Sequence, residues 1–259
     1  GNRLLSATML SMALSGFTAM ADDADDTLVQ NTVEVTGNYL YTDQVNALKT
    51  PTPIIDVPQS LSIVTADQIA EQGFSSIGQI IQYTPGVSTS QGEGHRDAVV
   101  FRGVRSTADF FLDGVRDDVQ YYRPLYNLEQ VEVLRGPQGT RYGANALAGL
   151  IYIQSNAPTE TFEHGIQTTF GDDDLQTYNG YSSGPITDKL FYRVVFEQHK
   201  QNGYRDNQYL GRDDTNGIDE FTGKLKLRYL ASDELTFDFT YLHADLDNGF
   251  DAWTLDNNG

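Results

Sequence analysis

Few residues in this sequence have the types and spacing needed for covalent or metal chemistry. The 259 residues include four His and no Cys, which excludes disulfides, thiolate metal sites and cysteine nucleophiles. His243-Ala244-Asp245 offers too few ligands for a metal site, and the acidic run from Asp245 to Gly249 places its glycine wrongly for a calcium loop. The sequence contains no phosphate-binding glycine loop and no G-x-S-x-G elbow. We therefore predict neither an enzyme nor a metal site.

The charge balance excludes another class of function. The 36 acidic residues outnumber the 17 basic ones, and the formal net charge is −19. A nucleic-acid-binding protein needs a basic footprint, so we expect no nucleic-acid partner. An acidic surface that only confers solubility fits the composition equally well.

The first residues resemble an export signal. Arg3 precedes a short apolar core, Leu4 to Leu14, and Ala19-Met20-Ala21 matches an A-x-A cleavage site. A buried helix is the alternative, but the order of charge, apolar core and small residues favours a signal peptide over residues 1–21. The signal lacks its initiator Met, so we expect the sequence to be part of a longer chain. Residues 22–50 are polar and acidic and are predicted to form an extended, flexible arm with one β-prone run, Thr32-Val33-Glu34-Val35-Thr36.

Residues 51–158 carry the signals of a compact α+β domain. A strand is predicted at Ser60–Val64, and capping boxes at Thr65/Gln68 and Ser76/Gln79 begin two helices that end at Gly73 and Pro85-Gly86. A hairpin is predicted around Asp113-Gly114 and a further strand at Val131–Leu134. Gly143 and Gly149 indicate close approach of two backbone segments.

Residues 159–259 show a different pattern, in which apolar and polar residues alternate. Leu235, Phe237, Phe239 and Tyr241, for example, alternate with Thr236, Asp238 and Thr240. Short connections near residues 184–188 and 231–234 alternate with long polar ones at 202–217 and 245–259, as in outer-membrane barrels. A soluble β-sandwich gives the same alternation. About five strands are present, whereas a barrel that encloses a plug has roughly 22. We therefore predict the first antiparallel strands of a transmembrane β-barrel, incomplete in this sequence.

Several motifs between Thr52 and Pro158 resemble the plug domain of TonB-dependent siderophore receptors. Their order and spacing over the domain carry the resemblance, and Tyr192-Arg193-Val194 and Asn202–Asp206 are similar to the first barrel strands and loop of that family. The plug motifs are Asp56-Val57-Pro58-Gln59-Ser60, Tyr83-Thr84-Pro85-Gly86-Val87, Phe101-Arg102-Gly103, Phe111-Leu112-Asp113-Gly114-Val115, Val131-Glu132-Val133-Leu134-Arg135-Gly136-Pro137, Tyr142-Gly143 and Gly149-Leu150-Ile151.

The resemblance implies a receptor in the outer membrane of a Gram-negative bacterium, with a plug (51–158) inside barrel strands (159–259). Thr32, Val33, Glu34, Val35 and Thr36 look like the TonB box, the strand gripped by TonB and its inner-membrane ExbB/ExbD motor. Asp26–Val29 also looks like the opening of such a box, so two registers remain open. Pairing of this run within the plug is the structural alternative.

The resemblance also implies roles for individual residues of the plug. Arg102 and Arg135 would pair with barrel glutamates beyond residue 259 and hold the plug in place, although ordinary surface ion pairs fit them equally well. The plug's outward loops would contact the ligand, although packing under a barrel loop is an equal alternative for any one residue. Charge and cation–π contacts in these loops suit an anionic, aromatic iron chelate. The residues concerned are His95, Arg96, Arg105, Tyr121, Tyr122 and Arg123.

The resulting hypothesis is TonB-dependent import of a ferric siderophore across the outer membrane. The ligand would carry its own iron, so no cofactor is expected, and lipid would contact the outer face of the strands. An oligosaccharide, cobalamin or haem importer is the first alternative. A signalling receptor is the second, disfavoured because only about ten residues separate the predicted cleavage site from Thr32.

Overall fold

A computed structural model of the protein describes residues 44–49, 52–90, 94–106, 109–143, 146–209 and 211–249. The signal peptide and the TonB-box interpretation lie outside these residues. None of the helices described here is both long and apolar enough to cross a membrane. The helices are α1 (Ala66–Gln72), α2 (Ile77–Gln82) and α3 (Gly139–Tyr142), with a 3-10 helix at Ile54–Asp56. The strands are β1 (Gln44–Val45), β2 (Thr52–Pro53), β3 (Ser60–Thr65), β4 (Val87–Thr89), β5 (Val99–Phe101), β6 (Val104–Ser106), β7 (Phe110–Leu112), β8 (Val115–Arg116), β9 (Leu128–Arg135), β10 (Gly149–Ser155), β11 (Glu163–Gly171), β12 (Leu175–Thr187), β13 (Leu190–Gln201), β14 (Arg205–Asn207), β15 (Arg212–Thr215), β16 (Ile218–Ser232) and β17 (Leu235–Leu246).

The plug is built on a mixed five-stranded sheet in the order β3-β9-β10-β7-β8. Its central strands β9 and β10 are buried on both faces, which explains their nearly continuous apolar sequences. Apolar residues of α1 and α2 cover one face of the sheet. The other face is covered by residues 45–48, which precede the plug in sequence. This sheet places the plug motifs on a rigid scaffold.

The two helices begin where the sequence predicts. Thr65 and Gln68 form a reciprocal capping box, and Gly73 ends α1 in the left-handed conformation that glycine adopts without strain. Only half of the second predicted box forms. The Ser76 hydroxyl accepts from the Gln79 amide, but the Gln79 side chain accepts from the amide and hydroxyl of Ser75 instead. The competing donors of Ser75, one residue earlier, are the reason.

Two tight turns in the plug explain two of its motifs. Asp113 (φ 49°) and Gly114 (φ 86°) connect β7 and β8, as the sequence predicts. Arg102 (φ 47°) and Gly103 (φ 89°) connect β5 and β6 in the same way, so the Arg-Gly pair forms a hairpin tip. Gly149 allows close approach, since a Cβ there would lie 2.6 Å from the Leu134 carbonyl oxygen. A Cβ at Gly143 would meet no other atom, but the φ of +76° is strained for other residues. Glycine is therefore required there by the backbone conformation and not by packing.

The remaining long strands form one antiparallel sheet in the order β11-β12-β13-β16-β17, which confirms the prediction of about five strands. Two-residue turns join β12 to β13 and β16 to β17. The long 202–217 connection contains the β14–β15 ribbon, which its polar, glycine-containing sequence does not predict. One face of the sheet exposes aromatic and aliphatic side chains, whereas polar residues of the other face are buried against the plug. The exposed set includes Ile166, Phe170, Val194, Phe196, Phe237, Phe239 and Tyr241.

Residues 44–49 correct the predicted extent of the arm. The sequence predicts a flexible segment up to residue 50, but Val45, Ala47 and Leu48 are buried against the plug. Strand β1 also pairs with β2. Apolar side chains that are too few to form a periodic pattern can still fill a groove on a partner surface, which is why sequence patterns did not reveal this docking.

Candidate functional site

The plug reaches the long-loop end of the β11–β17 sheet at His95. This side chain is 7% exposed, and its Nε2 lies 3.1 Å from Asn216 Oδ1 and 2.7 Å from the Gly249 carbonyl oxygen. Asn216 belongs to the β13–β16 connection and Gly249 follows β17. The Tyr122 ring packs edge-on against His95. His95 therefore ties the plug apex to two outer connections, and its ring is covered by them.

Arg123 and Tyr121 occupy the interior of the plug. The Arg123 guanidinium donates to Asp117 Oδ2 at 3.0 Å and lies 3.5 Å from Asp97 Oδ2, and it also covers the Phe110 ring at 3.9 Å. The Tyr121 hydroxyl donates to Asp117 Oδ2. Arg123 is 4% exposed and Tyr121 is equally buried. Internal carboxylates and carbonyl groups hold these two side chains in this structure, and their predicted contact with a ligand stays a prediction.

The other predicted apex residues are accessible. Arg105 is exposed on β6, whereas Arg96 and Tyr122 are half-buried. Arg96 Nη1 donates to Gln120 Oε1 at 2.6 Å. Burial raises the pKa of the Tyr122 hydroxyl, so this group stays protonated and able to donate a hydrogen bond. The structure thus leaves three of the six predicted residues in positions from which a ligand could be touched, and their role stays a prediction.

The two Arg-Gly motifs meet beside Pro85 and Gly86. Arg135 Nη1 donates to the Pro85 carbonyl at 3.0 Å, and a Cβ at Gly86 would lie 3.8 Å from the Arg102 side chain. Burial and the neighbouring charge of Arg102 lower the pKa of Arg135. Among the described residues, neither arginine forms an ion pair with a carboxylate. Their predicted pairing with glutamates elsewhere in the chain stays a prediction.

Two cations on the strands contact groups of the plug. Lys226 on β16 pairs with Asp113 of the plug, and Arg193 on β13 binds Asn127 and the Ala157 carbonyl group. Sequence reasoning missed these contacts. The one indication in the sequence is that Arg193 and Lys226 occupy polar positions of strands in which apolar and polar residues alternate. This identifies the face of the sheet but not the partner of each side chain.

A buried carboxylate joins residues 44–49 to the plug sheet. Glu132 Oε1 accepts from the Asn46 amide at 2.7 Å, and Oε2 accepts from the Ala47 amide at 2.9 Å. Gln130 Nε2 also donates to Oε1. Burial raises the pKa of Glu132, while these hydrogen bonds oppose the shift. The end of the arm is thereby held to the central strand β9.

Known proteins share this architecture. Residues 53–150 match the family model described as TonB-dependent Receptor Plug Domain. A ferrioxamine B receptor of Salmonella typhimurium is 31% identical over 245 residues, covering 87% of this chain and 32% of the relative. The vitamin B12 transporter BtuB of Vibrio vulnificus is 28% identical over 226 residues, covering 83% of this chain and 35% of the relative. The ferric yersiniabactin uptake receptor FyuA of Yersinia pestis superposes with a TM-score of 0.64 at 26% identity, covering 72% of this chain and 31% of that structure.

The plug sheet, the antiparallel strands beside it and these similarities define a receptor of the outer membrane. The chain belongs to the TonB-dependent receptors of Gram-negative bacteria. It spans about a third of the length of the curated relatives reported above. Those relatives are receptors and transporters, in agreement with the expectation that the chain is not an enzyme.

Proposed function

We propose that the whole protein imports a ferric siderophore across the outer membrane with energy delivered by TonB. The observation that carries this proposal is the plug apex beneath the outer connections, where His95 joins both of them. A ligand bound there contacts plug and loops together, so binding at the outer surface acts directly on the plug. The names of the similar ferrioxamine B and yersiniabactin receptors support a siderophore as the ligand class.

The accessible apex residues fit that ligand class chemically. Arg96 and Arg105 supply positive charge, and Tyr122 supplies an aromatic face with a hydroxyl donor. An anionic chelate is attracted by the guanidinium groups, and an aromatic chelate packs against the ring. The iron arrives inside the chelate, so the proposal requires no metal ligand or cofactor from the protein.

In this proposal TonB, driven by ExbB/ExbD, pairs with Thr32–Thr36 by strand addition and pulls on the arm. Strand addition depends on main-chain hydrogen bonds and therefore needs little sequence specificity. The full-length receptor without residues 32–36 should bind its ligand with unchanged affinity but import none of it. Deletion of residues 26–29 tests the second register of the box. Normal import by both deletion variants would refute the pulling mechanism.

The ligand class is tested by binding to the full-length receptor, with a panel of ferric siderophores and intrinsic tryptophan fluorescence as the signal. We expect tight binding of one chelate class and no binding of its iron-free form. Arg105→Gln should weaken binding of an anionic chelate by about tenfold or more, since a hydrogen-bonded charge contributes on the order of 1.5–3 kcal/mol. Half-exposed Arg228, near the short-turn end of β16, gives a matched control for loss of an arginine.

Cobalamin is the second candidate ligand. The observation that favours it is the similarity to a vitamin B12 transporter, which covers 83% of this chain. Growth of a receptor-deficient strain that carries the full-length gene separates the two candidates. Rescue by ferric chelates under iron limitation supports the siderophore proposal, whereas rescue only of cobalamin-dependent growth replaces it.

A further inference from the structure

Two buried cations face each other across the strands beside the plug. Arg193 on β13 and Lys226 on β16 are register partners, so their side chains lie on the same face of the sheet. They are 4% and 8% exposed. Like charges directly opposite each other destabilise an antiparallel pair, and burial increases that cost. Since the plug covers both side chains, each cation needs a compensating partner within this contact.

The plug compensates the charge of Lys226. Its Nζ lies 3.1 Å from Asp113 Oδ2 and donates to Ser155 Oγ at 2.9 Å and to the Ser155 carbonyl at 3.3 Å. Asp113 is itself fixed, since its carboxylate accepts from the Ser155 amide and hydroxyl at 2.8 and 2.6 Å. The tip of the β7–β8 hairpin and the end of β10 therefore act as one preassembled acceptor for the ammonium group.

The plug also supplies the partners of Arg193. Its Nε donates to Asn127 Oδ1 at 2.7 Å and its Nη1 to the Ala157 carbonyl at 2.9 Å. The guanidinium covers the Tyr181 ring at 4.8 Å, and half-exposed Glu163 lies 3.8 Å away. Asn127 holds its position with a φ of 57°, directly before β9. Plug atoms from three separate segments thus bind both cations, with an anion for Lys226 and neutral acceptors for Arg193.

We propose that Arg193 and Lys226 form a plug seat, a positively charged docking site for the plug segments around Asp113, Asn127 and Ser155. The proposal further assigns these segments to the part of the plug that stays in place during import, and this clause rests on the proposed function. Lifting the plug off the seat would break the ion pair of Lys226 with Asp113 and the hydrogen bonds of Arg193 to Asn127 and Ala157, and would leave Glu163 of β11 as the anion beside Arg193. The ligand path then opens on the side of the plug away from β13 and β16.

A double-mutant cycle in the full-length receptor tests the seat. Asp113→Asn and Lys226→Met are compared singly and together. The first readout is leakage of a large antibiotic through the receptor, and the second is the urea concentration at which leakage reaches half its maximum. We expect Asp113→Asn alone to raise leakage about tenfold or more, because it leaves the buried Lys226 ammonium group without its anion. Adding Lys226→Met should reverse most of that increase. Independent, additive effects of the two substitutions would overturn the proposal.

The exposed pair Lys200–Asp219, also on β13 and β16, gives the matched control cycle. Its ammonium and carboxylate groups are 3.1 Å apart but largely solvated, so Asp219→Asn and Lys200→Met should not change leakage. Leakage changes as large as those of the seat variants would show that any loss of charge on these strands disturbs the plug, and would overturn the assignment to Arg193 and Lys226.

A reversible tether tests whether the seated segments move. The sequence has no Cys, so Asp113→Cys with Lys226→Cys gives a specific pair for a short, reducible bifunctional thiol reagent. We expect tethered receptors to import a ferric chelate at the rate of reduced ones. Import that stops on tethering and returns on reduction would overturn the proposal. Absence of import by the wild-type receptor as well would instead count against the proposed function, and the mutant cycle would then decide the seat alone.

Discussion

Glu132 shows how one residue can connect the arm to the core of the plug. Its carboxylate is fully buried and accepts from two consecutive amides of residues 46 and 47. The Tyr142 hydroxyl donates to the Ala47 carbonyl at 2.5 Å, which fixes the same segment from its other side. In the proposed mechanism, a pull on the arm would reach β9 through these hydrogen bonds to the Glu132 carboxylate as well as through the covalent chain.

Glu132→Gln should loosen residues 44–49. An amide has one acceptor oxygen in place of two, so one backbone donor loses its partner, at a cost of on the order of 1–3 kcal/mol. In an Ala47→Cys background, we expect maleimide labelling of the thiol to increase by about tenfold. Ala98→Cys, buried elsewhere in the plug, is the control and should stay unlabelled. Equal labelling with and without the Glu132→Gln substitution would show that the carboxylate does not hold the segment.

Asp97 provides a pH test at the same scale. Burial raises the pKa of this carboxyl from 3.8 to about 6, while Arg123 opposes the shift and Glu220 adds to it. The folded plug therefore takes up a proton at higher pH than the unfolded chain, and stability is gained as pH falls from about 6 toward 3.8. As pH falls through this window, the urea midpoint of the wild-type protein should rise relative to that of the Asp97→Asn variant. A difference that is constant with pH would contradict the raised pKa.

At the scale of elements, close contact between β9 and β10 decides whether the plug can pack. Gly149 begins β10 opposite Arg135, and its α-carbon faces both the Leu134 carbonyl and the Phe101 ring. Neither neighbour can withdraw easily, because one is backbone and the other is a fully buried core side chain. The glycine is therefore required by packing, although its φ lies outside the left-handed region.

Gly149→Ala should destabilise the plug by about 1–3 kcal/mol, the usual cost of overpacking a core. A Cβ at this position would lie 2.6 Å from both neighbours. Gly139→Ala in α3 is the matched control, since no atom lies within 4 Å of its Cβ position. Urea denaturation of the two full-length variants provides the measurement. Equal midpoints would mean that β10 can shift enough to accommodate the methyl group.

At the scale of the whole molecule, the β11–β17 sheet separates two environments. Its inward side chains include Thr177, Asn179, Arg193, Thr222 and Lys226, which are buried, whereas its outward side chains are largely apolar and exposed. A β-barrel in a membrane has this distribution, with lipid replacing water on the apolar face. We therefore expect the same strands to provide both the proposed plug seat and the lipid contact.

Adjacent residues on β17 test this separation. Phe239→Glu places a charge on the apolar face, whereas Thr240→Glu places it on the polar face, opposite Lys226 in the β16–β17 register. We expect the first variant to reduce outer-membrane assembly of the full-length receptor severalfold, because a charge in contact with lipid is costly. The second should assemble normally. Heat-modifiability on gels and surface labelling measure assembly, and equal assembly of both variants would contradict the assignment of faces.

Local structure in this protein could be predicted from the order of its residues. The capping box at Thr65, the Asp113-Gly114 turn and the alternation of β17 depend on neighbouring residues, whose preferences act over a few positions. Ordered motifs also identified the plug. Which groups meet became visible only in the folded molecule: Arg123 turns inward to Asp97 and Asp117, Glu132 holds residues 46 and 47, and Lys226 finds Asp113 across more than a hundred residues of chain. Buried charges require partners, but any carboxylate or amide can serve, and only packing determines which one lies within reach.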